Sequence, residues 1–291
     1  MYGTENRGLR RKVGRIVGAF RPRASRAATG RAPTPVADGC LVCGAPRTPY
    51  EPVSFARNPE LVRNVSICSD CGYVAIEEQE NDRYRAATSM DQLPQGSRIG
   101  TEEKPGREFY MARMSLDILR RRNVEVLVYG IGRSLDNRHI ANLKRVRNVA
   151  IGDIMKVRDD AEFHDANQPA RKQFPIVVAS EVIEHFRNPR EDFAKLFQFV
   201  AEDGLLVCGT NVYDGGDLTR HRYIYFPDHT SYYTPQALLQ IAKPHGFQVD
   251  FRTPKIAGQS GRKRYVIFTK STTVAQNIAL YFGTRSVAPS E

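Results

Sequence analysis

Apolar positions along this chain alternate between two periods. From Arg107 to Arg122, Phe109, Met111, Ala112, Leu116 and Leu119 fall at helical spacing. Val124–Tyr129 then reads as a buried strand, ended by Gly130. A helical pattern over Leu135–Arg145 follows, then a second strand at Asn148–Ile151 and a third at Ala161–His164. Ile176–Ala179 predicts a fourth strand, Arg190–Val200 a helix, and Leu205–Gly209 a strand opened by Gly204. Thr234 caps a predicted helix from Pro235 to about Pro244, with proline at its first position. Phe247–Phe251 and Arg264–Thr269 are the last two strands, joined through Gly258–Lys263. Strands alternating with helices predict an α/β fold: a doubly wound, mostly parallel sheet covered on both faces, with an antiparallel edge hairpin.

The first third of the chain lacks this rhythm. Leu9, Val13, Ile16, Val17 and Phe20 recur at helical spacing within residues 8–20, with Arg10, Arg11, Lys12 and Arg15 mostly off the stripe. Such a helix suits an anionic membrane surface. The three glycines in that window equally suit a solvated tail, and an Arg-rich, acid-poor leader also fits a transit peptide. Residues 21–38, rich in Pro, Ala, Arg and Thr, read as a linker. The expected organisation is a basic tail and linker at 1–38, a zinc knuckle at 39–76, a polar connector at 77–106, the α/β domain at 107–270 and a C-terminal tail at 271–291.

Charge changes the picture of partners. The net charge is +11. Residues 1–31 carry nine Lys or Arg against one acid, Glu5, which leaves +3 for residues 32–291. A domain that grips nucleic acid over a broad face carries the excess itself, so a small-molecule or glycan substrate is expected ahead of a nucleic acid. No run of 18 apolar residues occurs and the N-terminus has no apolar secretory core. With the cysteine pattern below, this reads as a reducing, cytoplasmic setting, with peripheral membrane contact through the tail as a further expectation.

Cys40-Leu-Val-Cys43-Gly44 and Cys68-Ser-Asp-Cys71-Gly72 repeat one pattern. Two residues between thiolates let one tight turn present both sulfurs to a tetrahedral zinc, and a glycine after each pair fits the close backbone approach. All four positions filled by protein means a structural zinc, whose binding supplies folding energy to a segment too small for its own core. The fifth cysteine, Cys208, falls in a predicted central strand and reads as a small core residue.

The first strand of the α/β domain runs into Gly130-Ile-Gly132-Arg-Ser134, and Asp153 follows at the end of the second strand. Glycines at such a bend let backbone approach a ligand, and an acid one strand over can hold two ribose hydroxyls. These residues, with Ala179-Ser-Glu-Val-Ile-Glu-His-Phe-Arg-Asn-Pro189, Asp203–Thr210, His229–Pro235 and Gly246-Phe247, resemble the class I S-adenosylmethionine (SAM)-dependent methyltransferases, most closely the branch with a Glu-x-x-Glu-His motif after the fourth strand. The resemblance covers about 107–270. It implies a Rossmann-like fold, Gly130 and Gly132 at the methionine end of SAM, Asp153 on the ribose, and Ser180 and Glu181 beside the cofactor. Val128, Ser134 and Pro175 depart from it: the family commonly has an acid, a glycine and an Asp at those places.

Glu181, Glu184 and His185 are expected at the carboxyl end of the fourth strand, with His221 and His229 returning over the same edge. Methyl transfer is mainly alignment, but a hydroxyl acceptor benefits from a base. His185 or His229 is expected as that base, with Glu184 orienting a ring nitrogen. In small-RNA 2′-O-methyltransferases a similar motif holds a divalent metal, which here implies Glu181, Glu184, His185 and His229. Tyr223, Tyr225, Phe226, Tyr232 and Tyr233 suit stacking against a sugar or flat acceptor, or plain packing. The leading expectation is methylation of a hydroxyl, less a carbon, on a sugar or small-molecule intermediate. An RNA methyltransferase and a zinc-bearing interaction protein without SAM affinity stand as alternatives.

Overall fold

The computed structural model describes residues 39–78, 86–94, 96–226, 228–253 and 262–284, all within one compact unit. The amphipathic stretch 8–20, the linker 21–38 and most of the Gly258–Lys263 connection lie outside the described residues. The N-terminal strands are β1 (Arg47–Pro49), β2 (Val53–Phe55), β3 (Asn58–Arg63), β4 (Val65–Cys68) and β5 (Val74–Ile76). Then come α1 (Arg107–Leu119), β6 (Val124–Tyr129), α2 (Asp136–Ala141), β7 (Val146–Asp153), β8 (Glu162–Asp165) and β9 (Phe174–Ser180). The chain continues with α3 (Pro189–Phe197), β10 (Val200–Asn211), β11 (Ser231–Tyr232), α4 (Pro235–Ala242), β12 (Gln248–Arg252), β13 (Lys263–Thr269) and α5 (Thr272–Tyr281).

Seven strands form the main sheet in the order β12-β13-β10-β9-β6-β7-β8. From β8 to β10 all neighbours are parallel, while β13 runs antiparallel to both β10 and β12. The antiparallel pair is therefore folded inward, with β13 against β10 and β12 at the edge. This large, mostly parallel sheet places the carboxyl ends of β6, β7 and β9 along one rim, where α/β sheets of this kind bind ligands.

Alternate side chains separate two cores, as strand geometry requires. Val126, Val128, Ile176, Val178, Leu205 and Val207 face α1, with Met111, Leu116 and Ile118, and α5, with Val274 and Ile278. Leu127, Tyr129, Val177, Ala179, Leu206 and Cys208 face α3 and α4, where Phe193, Leu196, Leu238 and Ile241 are buried. Cys208 is thus a core residue, fully buried.

Two boundaries differ from the sequence reading. Where a tail is expected after residue 270, Ser271 caps α5 by accepting from the Val274 N–H, and Val274 and Ile278, one turn apart, bury against the sheet. The cysteine segment is also not a free-standing knuckle. Its sheet, β1-β4-β5-β11, borrows β11 from residues 231–232. Cys40, Cys71 and Tyr73 share the α3/α4 core, and Val53, Val65, Val74 and Ile76 pack on Tyr213, Leu218, Ile224 and Tyr232. A 38-residue segment cannot bury enough apolar surface alone, so it closes its core with residues contributed from the far side of the chain.

Candidate active site

The turn after β6 is built for close approach. Gly130 and Gly132 adopt φ of +65° and +55°, a region that costs other residues roughly 1–2 kcal/mol. The Gly130 N–H donates to Gly152 O at 2.8 Å, tying the bend to β7. A Cβ on Gly130 would lie 2.7 Å from Val182 Cγ2, whereas one on Gly132 would meet nothing within 4 Å. Gly132 lines a cavity of about 770 Å³. Its walls include Gly130, Gly132, Asp153, Ser180 and Glu181, and also His185 and His229. Among the expected site residues of the α/β domain, only Glu184 is not in the wall; it is fully buried behind it.

Asp153 accepts from the Ile154 N–H at 2.7 Å, yet burial dominates and pushes its carboxyl up to about 6. The Ser180 hydroxyl is buried in the wall with no partner among the described residues. Glu181 sits at φ +55°, unusual for a residue with a side chain. Its carboxylate faces the Lys263 ammonium and lies 3.9 Å from Arg107 Nη1. Burial, reinforced by the Arg107 charge, lowers Lys263 to about 7. Ser134, at the place of a third glycine, accepts from the Gly100 N–H at 3.0 Å and donates to Glu108 Oε2 at 3.0 Å. Burial raises Glu108 to about 8, so it stands ready as the protonated member of this cluster. Asp136 caps the start of α1 by accepting from Gly106 and Phe109. Val128 points into the α1 core rather than toward the cavity. Arg107, Glu108 and Lys263 were not legible as site residues, because β13 and α1 meet the rim of β9 only in the folded chain.

At the other part of the cavity, His185 and His229 meet edge to face, ring centroids 4.9 Å apart. His185 Nδ1 lies 2.8 Å from the carbonyl of Asp228. A carbonyl only accepts, so Nδ1 is the donor there. His229 is held neutral: burial, then the neighbouring His185, drives its pKa well down. Its Nδ1 is buried with no hydrogen-bond partner among the described residues. Glu184 is buried beside the two rings. Its carboxylate accepts from Thr210 Oγ1 at 3.3 Å and from Tyr223 OH, and burial raises its pKa. One ligand atom each from Glu184, His185 and His229 lies within 4.8 Å of the others, while Glu181 is turned to Arg107 and Lys263. His221 is not part of this group; its Nδ1 meets Tyr232 OH at 3.1 Å. Of the five aromatic residues, Tyr225, Tyr232 and Tyr233 serve packing, Tyr223 lines the wall, and Phe226 presents an exposed ring there with Arg222 stacked at 5.5 Å.

The four cysteines converge. Cys40 and Cys71 Sγ are 3.7 Å apart, Cys43 and Cys68 Sγ 3.4 Å, and all four lie within 4.8 Å of one another, without a disulfide. Thiolates around a zinc at about 2.3 Å sit nearly 4 Å apart, so the donor set and its spacing fit that ion. Gly44 and Gly72 turn each pair with φ of +82° and +68°.

The methyltransferase-domain family matches residues 96–250, over half of the 291 residues. The chain belongs to this methyltransferase family. It is a SAM-dependent methyltransferase with a Rossmann-like fold. No curated protein matches the methyltransferase. It is similar to three solved structures among others. One is the Burkholderia thailandensis 1,6-didemethyltoxoflavin-N1-methyltransferase with bound 1,6-didemethyltoxoflavin and S-adenosylhomocysteine (SAH), at 14% identity and TM-score 0.42, covering 55% of this chain and 75% of that one. Another is a TehB-like SAM-dependent methyltransferase from Corynebacterium glutamicum, at 16% identity and TM-score 0.40, covering 57% and 90%. The third is human N-acetylserotonin methyltransferase in complex with SAM, at 12% identity and TM-score 0.42, covering 55% and 52%. Among the described residues of the methyltransferase, no helix is long and apolar enough to cross a membrane.

Proposed function

We propose that the methyltransferase acts on a hydroxyl, less favourably a carbon, of a sugar or small-molecule intermediate, with SAM held at the glycine bend and the acceptor at the histidine pair. One observation carries this reading: at both ends of a single cavity the wall holds a buried polar atom without a hydrogen-bond partner among the described residues, Ser180 Oγ at one and His229 Nδ1 at the other. Buried polar groups are nearly always satisfied, so each is a place for a ligand to bond. Ser180 neighbours the proposed cofactor residues Gly130, Gly132, Asp153 and Glu181; His229 neighbours His185.

SAM supplies a methyl already activated by a sulfonium. The protein's part is to orient and to take a proton. Asp153, ionised above about pH 6, accepts the two ribose hydroxyls. Gly132 leaves room for backbone contact with the amino-acid end. Glu181, held by Arg107 and Lys263, is fixed beside it. His185, oriented through Nδ1 on Asp228 O, faces the cavity beside neutral His229, and one of the two rings takes the acceptor's proton. Glu184 keeps Tyr223 and Thr210 in place behind them.

The Glu184–His185–His229 cluster supports a second reading, a divalent metal that holds acceptor hydroxyls. In this reading Glu181, which faces Arg107 and Lys263, is not a ligand. Calorimetry with SAH, followed by turnover screens on hydroxylated sugars and small phenols with and without chelator, tests both. SAH binding with chelator-insensitive transfer supports the base. Transfer that stops on chelation while SAH still binds supports the metal. No SAH binding at millimolar concentration removes both.

A further inference from the structure

We infer that the four-cysteine module is a strut for the acceptor end of the cavity: when metal-loaded, it sets the spacing of His185 and His229 through Tyr73. The functional meaning of this strut rests on the histidines being the acceptor-facing pair; its geometry does not.

The contacts run in one direct line. Immediately after His229, residues 230–234 are bonded to residues 71–76, which begin at the last cysteine. The Ile76 N–H donates to Thr230 O at 3.0 Å, and β11 pairs with β5 through Ser231↔Ala75 and Tyr232↔Val74. Thr234 Oγ1 donates to the carbonyl of Cys71 itself. Tyr73 OH meets Ser231 Oγ at 2.6 Å. The Ser231 hydroxyl spends its proton on Phe186 O at 2.8 Å, so Tyr73 is the donor of that pair.

The same residues carry His185. Thr230 N–H donates to Glu184 O at 2.9 Å and Thr230 Oγ1 to Phe186 O at 2.8 Å, the carbonyls on either side of His185. A second tether joins the other cysteine pair: Arg190, on α3, donates through Nε to Val42 O at 2.7 Å. Segment 183–186 therefore hangs on 228–231, and 228–231 on the cysteine module. β11 is two residues long and pairs only with β5; a strand that short is not stable by itself. β5 in turn belongs to a segment whose order depends on its ligand set. The glycine bend is held by other bonds, Gly130 to Gly152 and Ser134 to Gly100 and Glu108. The two ends of the cavity thus have separate supports.

The full-length zinc-loaded protein tests this without any acceptor. In Tyr73→Phe we expect zinc content and SAH affinity within twofold of wild type. Amide hydrogen exchange at Thr230 should rise about tenfold, the effect of one buried hydrogen bond, and the ring-nitrogen NMR signals of His185 and His229 should shift. Chelating the zinc should enlarge the same changes at 183–186 and 228–232 while SAH still binds. Unchanged exchange and histidine signals in Tyr73→Phe overturn the inference. So does chelation that leaves both segments protected, or that abolishes SAH binding in parallel with them. Histidines that prove dispensable for transfer would sink the base assignment above and leave these readouts intact.

Discussion

His185 and His229 stand edge to face with ring centroids 4.9 Å apart, although 43 residues and the whole of β10 separate them in sequence. The buried ring, His229, is kept neutral partly by its partner. Replacing either by Ala should lower methyl transfer about 10²–10⁴-fold, the usual worth of a positioned base. SAH affinity should stay within about twofold, because the glycine bend is untouched. Steady-state kinetics beside calorimetry checks the pair of outcomes; an unchanged kcat in both variants removes the base.

The two glycines of the bend should fail in different ways. Gly130→Ala drives a Cβ into Val182 at 2.7 Å and costs stability through both the clash and the left-handed φ, roughly 1–3 kcal/mol. Gly132→Ala places a Cβ with no protein atom within 4 Å, so its stability cost is that of the left-handed φ alone, roughly 1–2 kcal/mol. It should melt less early than Gly130→Ala and lose SAH affinity at least about tenfold, which corresponds to about 1.4 kcal/mol. Thermal melts with and without SAH separate the two.

With Asp153 as the proposed ribose ligand, cofactor binding should depend on pH. The folded pKa of Asp153, about 6, lies above the ordinary 3.8. A raised carboxyl favours folding at low pH, and that contribution is lost as pH rises from about 4 through about 6. Ligand binding has the opposite sign, since ribose hydroxyls bond best to the ionised form. SAH affinity should be flat above pH 7 and weaken below pH 6 by up to about tenfold per pH unit. Asp153→Asn should flatten that profile and weaken binding at pH 8 by about 10–100-fold, the range of bonds to a charged acceptor. Calorimetry from pH 5 to 8 reads both; a wild-type profile without curvature speaks against Asp153 as the ribose ligand.

Zinc content should follow the four clustered cysteines and ignore the fifth. Cys40→Ser or Cys71→Ser should lower bound zinc below one per chain and reduce Tm by roughly 10 °C, as expected when a structural metal site costs several kcal/mol. Cys208→Ser, buried in β10 away from the cluster, should keep its zinc even if it melts earlier. Elemental analysis of the three variants decides, and full zinc in Cys71→Ser would contradict the assignment.

Local sequence reached some of these features and missed others for physical reasons. The doubled Cys-x-x-Cys spacing was enough to foresee four sulfurs around one point, because each pair is made by one tight turn. Period-two and period-3.6 patterning located β6 to β9, β12 and β13 to within a few residues, because each buries a face that shows in its own side chains; it missed the two-residue β11 and the first five residues of β10. The place of Gly130, Gly132 and Asp153 at one rim of the sheet was legible for the same reason: a bend and a strand end are set locally. Contacts between distant segments were not. Lys263 against Glu181, Tyr73 on Ser231, and Tyr223 donating to Glu184 each join residues at least 39 apart in the chain. No periodicity records such pairs; they exist only where β13 folds inward beside β10 and where β11 closes the cysteine sheet. Backbone geometry within a turn is a property of neighbours in sequence, whereas burial, and with it the pKa of Asp153 or His229, is a property of everything packed around the group.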